Sequence, residues 1–299
     1  MKIGLVGAGR MGQAIVLRLL EKKHSVQVWN RTSDKTVALV AAGATLAASP
    51  AELARASDVI ICILTHADAQ KAVYEAPNTG LLSADLKGKC VIDMSTVQPE
   101  SMRRLESAVT LKGAVFVESP VGGTTGPARE GKLFAFVGAT AEAFKIAEPV
   151  LLELCRRIEH VGAVGAGSSL KLAVNLPLLV FWQSFGEALS LVSHLKLSPE
   201  RLIDILSDTP GATGALKARA AQFVARLQGG EPFAASFNLQ SIRKDLQTMR
   251  TEAAGLGLML PVVSGAINAY DETIAAGLGD SDSIEQSLFW QSKRAKSKQ

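Results

Sequence analysis

The first residues able to do chemistry stand at the very start of the chain. MKIGLVGAGRMG sets Gly7, Gly9 and Gly12 in the spacing G-x-G-x-x-G, directly after a short apolar run and directly before MGQAIVLRLLEKK, which has helical spacing. In that setting each glycine has its own task. Gly7 permits a tight turn, Gly9 lets the backbone approach a pyrophosphate, and Gly12 lets helix and strand pack closely. The helix start, with Arg10 and Met11 between the last two glycines, offers unpaired N–H groups and a positive dipole end. Gly7, Gly9, Arg10, Met11 and Gly12 are therefore expected to hold a dinucleotide.

The end of the second strand, SVQVWN, decides between the two nicotinamide dinucleotides. A carboxylate there would hold the ribose 2′-OH of NAD, whereas an arginine accommodates the 2′-phosphate of NADP. The chain reads Asn30-Arg31-Thr32, with no carboxylate until Asp34. Arg31 is planar and permanently charged, which suits phosphate pairing. Thr32 adds a hydroxyl and Lys35 is an accessory cation. NADP(H) is favoured over NAD(H).

Four further stretches place reactive or anion-binding groups. DMSTVQP puts Ser95 and Thr96 at a strand end, where they could equally cap the next helix. In ESPVGGTTGPAREGKLFAFVGA, successive glycines around Gly122, Gly123 and Thr124 can turn their N–H groups into an anion-binding concavity, or form an ordinary hairpin loop. In GAGSSLKLAVNLP, Lys171 and Asn175 lie four apart, on one helical face, and both interrupt an apolar run. A lone lysine there usually runs its methylenes over apolar surface, but a second polar group in the same stripe needs a partner. FNLQSIRKDLQTMR carries Lys244 and Asp245, which alone read as an exposed charged turn.

Elements must hold these groups in place. IGLV, SVQVWN, DVIICILT, KCVIDMST, VFVESPV, LFAFVGA and IEHVG read as strands; SDKTVALVAAGA, SPAELARA and TAEAFKIAEPVLLELCRR read as helices. Ser49 before Pro50 is a helix-start signal. Strands alternating with helices predict a doubly wound parallel sheet of the Rossmann type, α/β in class. Ligands then lie off the carboxyl ends of the strands, which adds Leu64, Thr65, Ser95 and Thr96 to the cofactor's surroundings. From GAGSSLKLAVNLP onward the pattern is helical, with Pro177 expected to kink or loosen the helix. The expected division is residues 1–164, binding NADP, and residues 165–299, an all-helical substrate and dimerisation domain, joined by a long helix.

With these motifs in this order, the chain resembles the β-hydroxyacid dehydrogenases, the group of 3-hydroxyisobutyrate dehydrogenase and the glyoxylate/succinic semialdehyde reductases. The resemblance runs from MKIGLVGAGRMG to GLGDSDSIEQSLFW. It implies an oxidoreductase that interconverts a small carboxylated aldehyde and its hydroxy acid. It also implies roles: Lys171 as general acid/base, Asn175 as a substrate holder, and Ser95 with the Gly122, Gly123 and Thr124 backbone on the substrate carboxylate. Thr96 would lie near the cofactor, and Lys244 would close over the nicotinamide and carboxylate, with Phe237 as a wall. Three positions depart from the family pattern: Gly122 stands for the usual serine, Thr124 for a glycine, and Val174 for a second asparagine. A branch of the same architecture that reduces C=N bonds typically lacks the lysine; a non-catalytic nucleotide-binding protein would need none of these groups together.

Composition narrows the rest. The chain has 299 residues, 47% hydrophobic, enough for a large core and for two domains. Its formal charge is +4, but Lys293, Arg294, Lys296 and Lys298 of the terminal KRAKSKQ supply four positives, and 32 − 4 = 28 balances the 28 acids. The body is neutral, which gives no nucleic-acid footprint. Three scattered cysteines read as buried reduced thiols, with neither a disulfide framework nor a metal site. Met1 opens almost directly onto the first strand, which is read as leaving no room for a signal peptide, and the apolar run Leu172–Trp182 is read as too short and polar-edged to span a bilayer. These features predict a cytoplasmic protein with small-molecule substrates and no nucleic-acid or membrane partner. Surplus apolar surface on the helix near Ser168 predicts a homodimer or homotetramer.

Overall fold

The computed structural model describes residues 1–293, so Arg294, Lys296 and Lys298 of the basic tail lie outside the described residues. Lys293 pairs with Glu272. The chain divides into two compact units, Met1–Leu172 and Ala173–Gln299.

In the first unit, chain order begins with β1 (Lys2–Val6), α1 (Arg10–Glu21), β2 (Ser25–Trp29), α2 (Val37–Ala41), β3 (Thr45–Leu46) and α3 (Pro50–Ala56). It continues with β4 (Val59–Cys62), α4 (Ala67–Glu75), β5 (Cys90–Asp93), α5 (Pro99–Thr110) and β6 (Val115–Glu118). These strands are all parallel, in the order β3-β2-β1-β4-β5-β6. The order reverses beside β1, which opens a ligand crevice at the carboxyl ends of β1 and β4. The strands are apolar without alternation because both faces are covered. Ile3, Leu5, Ile61 and Ile92 face one buried cluster with Ile15 and Leu19 of α1. Val6, Ile60 and Val91 face another with Leu53, Met102 and Leu105. Ser49 caps α3, accepting from the Glu52 N–H at 3.1 Å, as its spacing before Pro50 predicts.

The chain then runs through β7 (Val121–Gly122), α6 (Thr125–Glu130), β8 (Leu133–Gly138), α7 (Ala141–Leu154) and β9 (Cys155–Gly162). β8 is antiparallel to β6 and β7 and parallel to β9. Two local expectations are corrected here. The glycine-rich stretch after Gly123 is no plain hairpin loop, for it contains α6. Pro127 falls in that helix's first turns, where a missing N–H costs little, and Gly131 ends it at φ 70°. The helix expected through Arg157 stops at Leu154. Cys155 is already extended and pairs with Leu133, so the β8–β9 ladder overrides the helical pattern.

α8 (Ala166–Leu191) follows as one long helix, continuous through Pro177. The proline removes a single backbone donor and the surrounding turns persist, so the expected loosening is not seen. The apolar run Leu172–Trp182 is part of this helix, which by length and hydropathy alone is long enough to cross a bilayer. The length argument is thereby corrected; half of its most apolar window is buried inside the protein. The second unit adds α9 (Pro199–Ser207), α10 (Gly214–Leu227), α11 (Leu239–Gly255), α12 (Pro261–Thr273) and α13 (Ile284–Ser292), the last two joined through a π-turn at Ile274–Leu278. Trp182 and Phe185 of α8 pack their rings against Phe223 of α10 at 6.0 and 5.1 Å, and Phe181 packs against both of them at 5.2 and 5.3 Å. α13 approaches α8 closely at Gly186, where a Cβ would meet the Ser287 carbonyl at 2.7 Å. There Ser287 donates to the Trp182 carbonyl at 2.6 Å, and the Gln286 amide donates to the Gln183 oxygen at 2.7 Å.

Candidate active site

The glycine turn, the Asn30-Arg31-Thr32 turn, Leu64 with Thr65, and Ser95 with Thr96 lie along one edge of the sheet, because each follows the carboxyl end of a parallel strand. Gly7 leaves β1 at φ +104°, and a Cβ on it would stand 2.3 Å from the Ile63 carbonyl. Gly12 packs just as hard: its Cβ would lie 2.0 Å from the Gly7 carbonyl. Gly9 differs. It is exposed, its backbone is extended, and a Cβ there would meet nothing within 4 Å. Two glycines are thus demanded by the protein's own packing, whereas the third keeps open space at the start of α1. That helix has no side-chain cap and no acid in its first turn. An anion at this end would meet open N–H groups and no carboxylate, so these residues fit a dinucleotide pyrophosphate.

At the end of β2, the Asn30 amide donates to the Thr32 carbonyl at 2.9 Å and shapes the turn, leaving Arg31 and Thr32 exposed. The Gln13 amide of α1 donates to the Lys35 carbonyl at 3.2 Å and so ties this turn to the helix of the glycine loop. Leu64 is half-buried and Thr65 exposed beyond β4.

A buried polar network lies behind the turn after β5. The Asp93 carboxylate is fully buried; it accepts from the Ser95 N–H at 2.9 Å, the Tyr74 hydroxyl at 2.9 Å and the Gln70 amide at 3.0 Å. Burial pushes its carboxyl above the usual range, against the lowering effect of those bonds. The Ser95 hydroxyl accepts from the Leu64 N–H at 2.9 Å, and the residue is 1% exposed. Ser95 therefore ties the ends of β4 and β5 together instead of presenting its hydroxyl at a surface, while the neighbouring Thr96 is half-buried. Burial also pushes the Cys90 and Cys155 thiols up to about 12 and holds the Cys62 thiol well above its ordinary value. All three cysteines are buried and unpaired, which makes them poor nucleophiles.

Beyond β6, the backbone of Gly122, Gly123 and Thr124 crosses the same edge. Gly123 has φ +126° and a Cβ there would lie 2.9 Å from Leu133, so glycine is required. Gly122 is not so constrained, since a Cβ would meet Phe136 and Phe134 at ordinary distances of 3.6 and 3.7 Å. Thr124 starts α6 without capping it through its side chain.

Lys171 and Asn175 lie one turn apart on α8, 7% and 6% exposed. Within the second unit, the Asn175 amide donates to Asp245 of α11 at 3.2 Å, and Asp245 also pairs with the adjacent Lys244. Sequence reasoning took the Arg243-Lys244-Asp245 turn as charged surface and singled out its lysine; the aspartate is the residue that reaches Asn175. It is 3% exposed, and a helical acid spaced with Ile242, Leu246 and Met249 was the available signal. Phe237 is half-buried just before α11. Among the described residues, no three His, Cys, Asp or Glu side chains gather as a metal site.

Two family models match the chain: the NAD binding domain of 6-phosphogluconate dehydrogenase over residues 2–162, and the NAD-binding domain of NADP-dependent 3-hydroxyisobutyrate dehydrogenase over residues 165–287. The chain is 32% identical to 2-(hydroxymethyl)glutarate dehydrogenase of Eubacterium barkeri, over 97% of its own length and 95% of that protein. It is 32% identical to glyoxylate/succinic semialdehyde reductase 1 of Arabidopsis thaliana, over 94% and 96%. The structure described as Psf3 in complex with NADP+ and 2-OPP superposes with a TM-score of 0.84 at 28% identity, covering 96% of this chain and 99% of that one. Fold and site thus define an NAD(P)-dependent hydroxyacid dehydrogenase. The chain belongs to the β-hydroxyacid dehydrogenase family, of the 3-hydroxyisobutyrate dehydrogenase type.

Proposed function

We propose that this enzyme prefers NADP(H) and interconverts a small carboxylated aldehyde, of semialdehyde or glyoxylate type, with the corresponding hydroxy acid. The observation that carries the reading is the pair on α8: a lysine and an amide one turn apart, both more than nine-tenths buried, with the amide held by a buried aspartate. Burying an amine this far in a helix is costly unless it is used or paired. NADPH, when bound, supplies the hydride. Lys171 gives the proton that the developing alkoxide needs, through its Nζ–H, and is reprotonated from solvent. Asn175, oriented by Asp245, directs that oxygen. Backbone N–H groups of Gly122, Gly123 and Thr124 take the substrate carboxylate. Ser95, whose hydroxyl already serves Leu64, acts behind this surface by fixing the turn that carries Thr96. Arg31 and Thr32 take the 2′-phosphate, supported by the lack of an acid at the end of β2. Lys244 covers the nicotinamide side, and the working form is a homodimer or homotetramer in the cytoplasm.

The test is oxidation of NADPH and NADH, followed at 340 nm, across a panel of short carboxylated aldehydes, for wild type and Lys171→Ala. The reading expects NADPH-dependent turnover by wild type and a loss of about a hundredfold or more in the variant, with NADPH binding intact. Full activity in Lys171→Ala would refute Lys171 as the acid/base.

A further inference from the structure

One buried carboxylate has so far been given no task. Glu118, the last residue of β6, is fully buried in a strand whose other residues are apolar. Its Oε2 accepts from the N–H groups of Gly165, at 2.6 Å, and Gly167, at 3.2 Å, while its Oε1 accepts from the Ser168 N–H at 2.8 Å. These are the residue before α8 and two residues of its first turn, donors that a helix cannot satisfy by itself. The Gly165 carbonyl accepts the Ser169 N–H at 3.0 Å, so Gly165 is the N-cap, and it has no side chain to cap with. Glu118 performs that task from the sheet. Burial is the larger effect and pushes this carboxyl above its ordinary range, whereas the donors facing both oxygens, with the positive end of the helix dipole, favour the ionised form.

The surroundings are shaped to admit this carboxylate. A Cβ on Gly138, which pairs with Glu118 across β8, would lie 2.3 Å from its Oε2. A Cβ on Gly167 would lie 3.2 Å from the same oxygen and 2.4 Å from the Phe136 carbonyl. Gly165 has φ +102°, closed to most other residues. Gly138 and Gly167, from two segments, thus clear the space between one acid and one helix start. Lys171 lies three residues beyond Ser168, less than one helical turn further on. Glu118 also begins the connection that leads through Ser119 and Pro120 to Gly122.

We infer that Glu118 is a positioning residue for the reaction: its carboxylate pins the first turn of α8 to the end of β6, so that Lys171 and the Gly122–Thr124 backbone are set by one shared anchor. The inference rests on the reading of Lys171 as the proton donor. Glu118 itself touches neither substrate nor cofactor in this role.

The test compares wild type, Glu118→Gln, Glu118→Asp and Lys171→Ala. Measured are NADPH affinity by fluorescence, kcat and KM on the best aldehyde of the panel, and the pH dependence of Lys171 acetylation by acetic anhydride, read by peptide mass spectrometry. The last needs no substrate. Glu118→Gln sets an amide N–H against backbone N–H groups and removes the charge. It is expected to lower kcat by about tenfold or more with NADPH affinity within about twofold, an effect on placement and not on cofactor binding. Loss of a nearby anion destabilises the ammonium, so the labelling midpoint should fall by about half a pH unit or more. Glu118→Asp keeps the charge but is one methylene short; kcat should fall while the midpoint holds. An inactive Lys171→Ala beside a Glu118→Gln with wild-type kcat and midpoint overturns the inference. Loss of NADPH binding in both Glu118 variants also overturns it, because the carboxylate would then serve the sheet and not the helix start. A fully active Lys171→Ala refutes the proton-donor reading instead, and the labelling midpoint still tests the anchor by itself.

Discussion

The glycines of the first turn offer a sharp separation of stability from binding. At Gly12, an added Cβ would stand 2.0 Å from the Gly7 carbonyl and 3.2 Å from Leu5. Gly7 cannot yield, since its φ of +104° and its N–H bond to the Trp29 carbonyl at 3.0 Å fix it. Overpacking of this kind costs about 1–3 kcal/mol or more, and in a chain of this size each kcal/mol lowers Tm by roughly 2–4 °C. Gly12→Ala is therefore expected to melt several degrees early. At Gly9 the backbone, at φ −70° and ψ −175°, suits any residue, and the added Cβ meets nothing within 4 Å. Alanine is a poorer N-cap than glycine, but it also restricts the unfolded chain by about 0.4–1 kcal/mol, so the two effects largely offset and Tm should move little. The open space over Gly9 is the place for a pyrophosphate, and a methyl group there would push it off the N–H groups at the start of α1. Losing one charge-assisted hydrogen bond is worth about 1.5–3 kcal/mol, which is roughly ten- to a hundredfold in Kd. Differential scanning fluorimetry gives Tm, and quenching of intrinsic fluorescence gives NADPH affinity. A Gly9→Ala enzyme that binds NADPH within about twofold of wild type would refute the placement of the pyrophosphate.

Two other outcomes are expected. Arg31→Ser should weaken NADPH binding by about ten- to a hundredfold with little change for NADH, because only the former carries a 2′-phosphate; equal losses for both cofactors would remove Arg31 from that role. Asp93 should give stability a pH dependence of unusual sign. Burial raises its carboxyl above the unfolded value, so the native state keeps this proton to higher pH than the unfolded chain. Its contribution then falls as pH rises from about 3.9 through the folded value, and levels off above. Asp93→Asn should flatten that slope in urea titrations from acid to neutral pH. It should also remain folded, because Gln70 has a buried amide oxygen without a partner that a flip can offer to the new amide. An unchanged slope in the variant would remove Asp93 as its source.

Legibility in the sequence followed the range of the interaction that fixes each feature. The nucleotide edge could be read because much of its cause is local: Gly7 turns the chain at φ +104°, Gly12 is required by a contact with the Gly7 carbonyl within the same turn, and Val59–Cys62 is uniformly apolar because helices cover both its faces. The early end of α7 could not, since Cys155 is extended on account of Leu133, in a strand on the far side of that helix. Site residues divide the same way. Lys171 and Asn175 stood out as polar groups in one apolar helix. Ser95 was read from its place at a strand end as facing the cofactor, and from the family resemblance as a holder of the substrate carboxylate, yet the Leu64 N–H donates to its hydroxyl across the β4–β5 ladder, a contact between residues 31 positions apart.

The carboxylates show the limit most clearly. Asp93, Glu118 and Asp245 are 0%, 0% and 3% exposed, and each accepts from an N–H or O–H that belongs to another element. From sequence, all three are acids at the end of a strand or in a charged helical turn, positions where water usually surrounds them. What distinguishes them is the donor set that tertiary structure brings: an amide and a phenol for Asp93, a helix start for Glu118, an asparagine for Asp245. A buried carboxylate without such donors would be far too costly to keep. Each acid also stands directly behind a group assigned to the reaction, Asp93 behind the Ser95–Thr96 turn, Glu118 behind the first turn of α8, and Asp245 behind Asn175. The groups proposed to meet the substrate are therefore backed by buried carboxyl groups that are given no contact with it. Replacing one of those carboxyl groups by its amide should change placement before it changes cofactor binding, and that order of effects is what separates a support from a ligand.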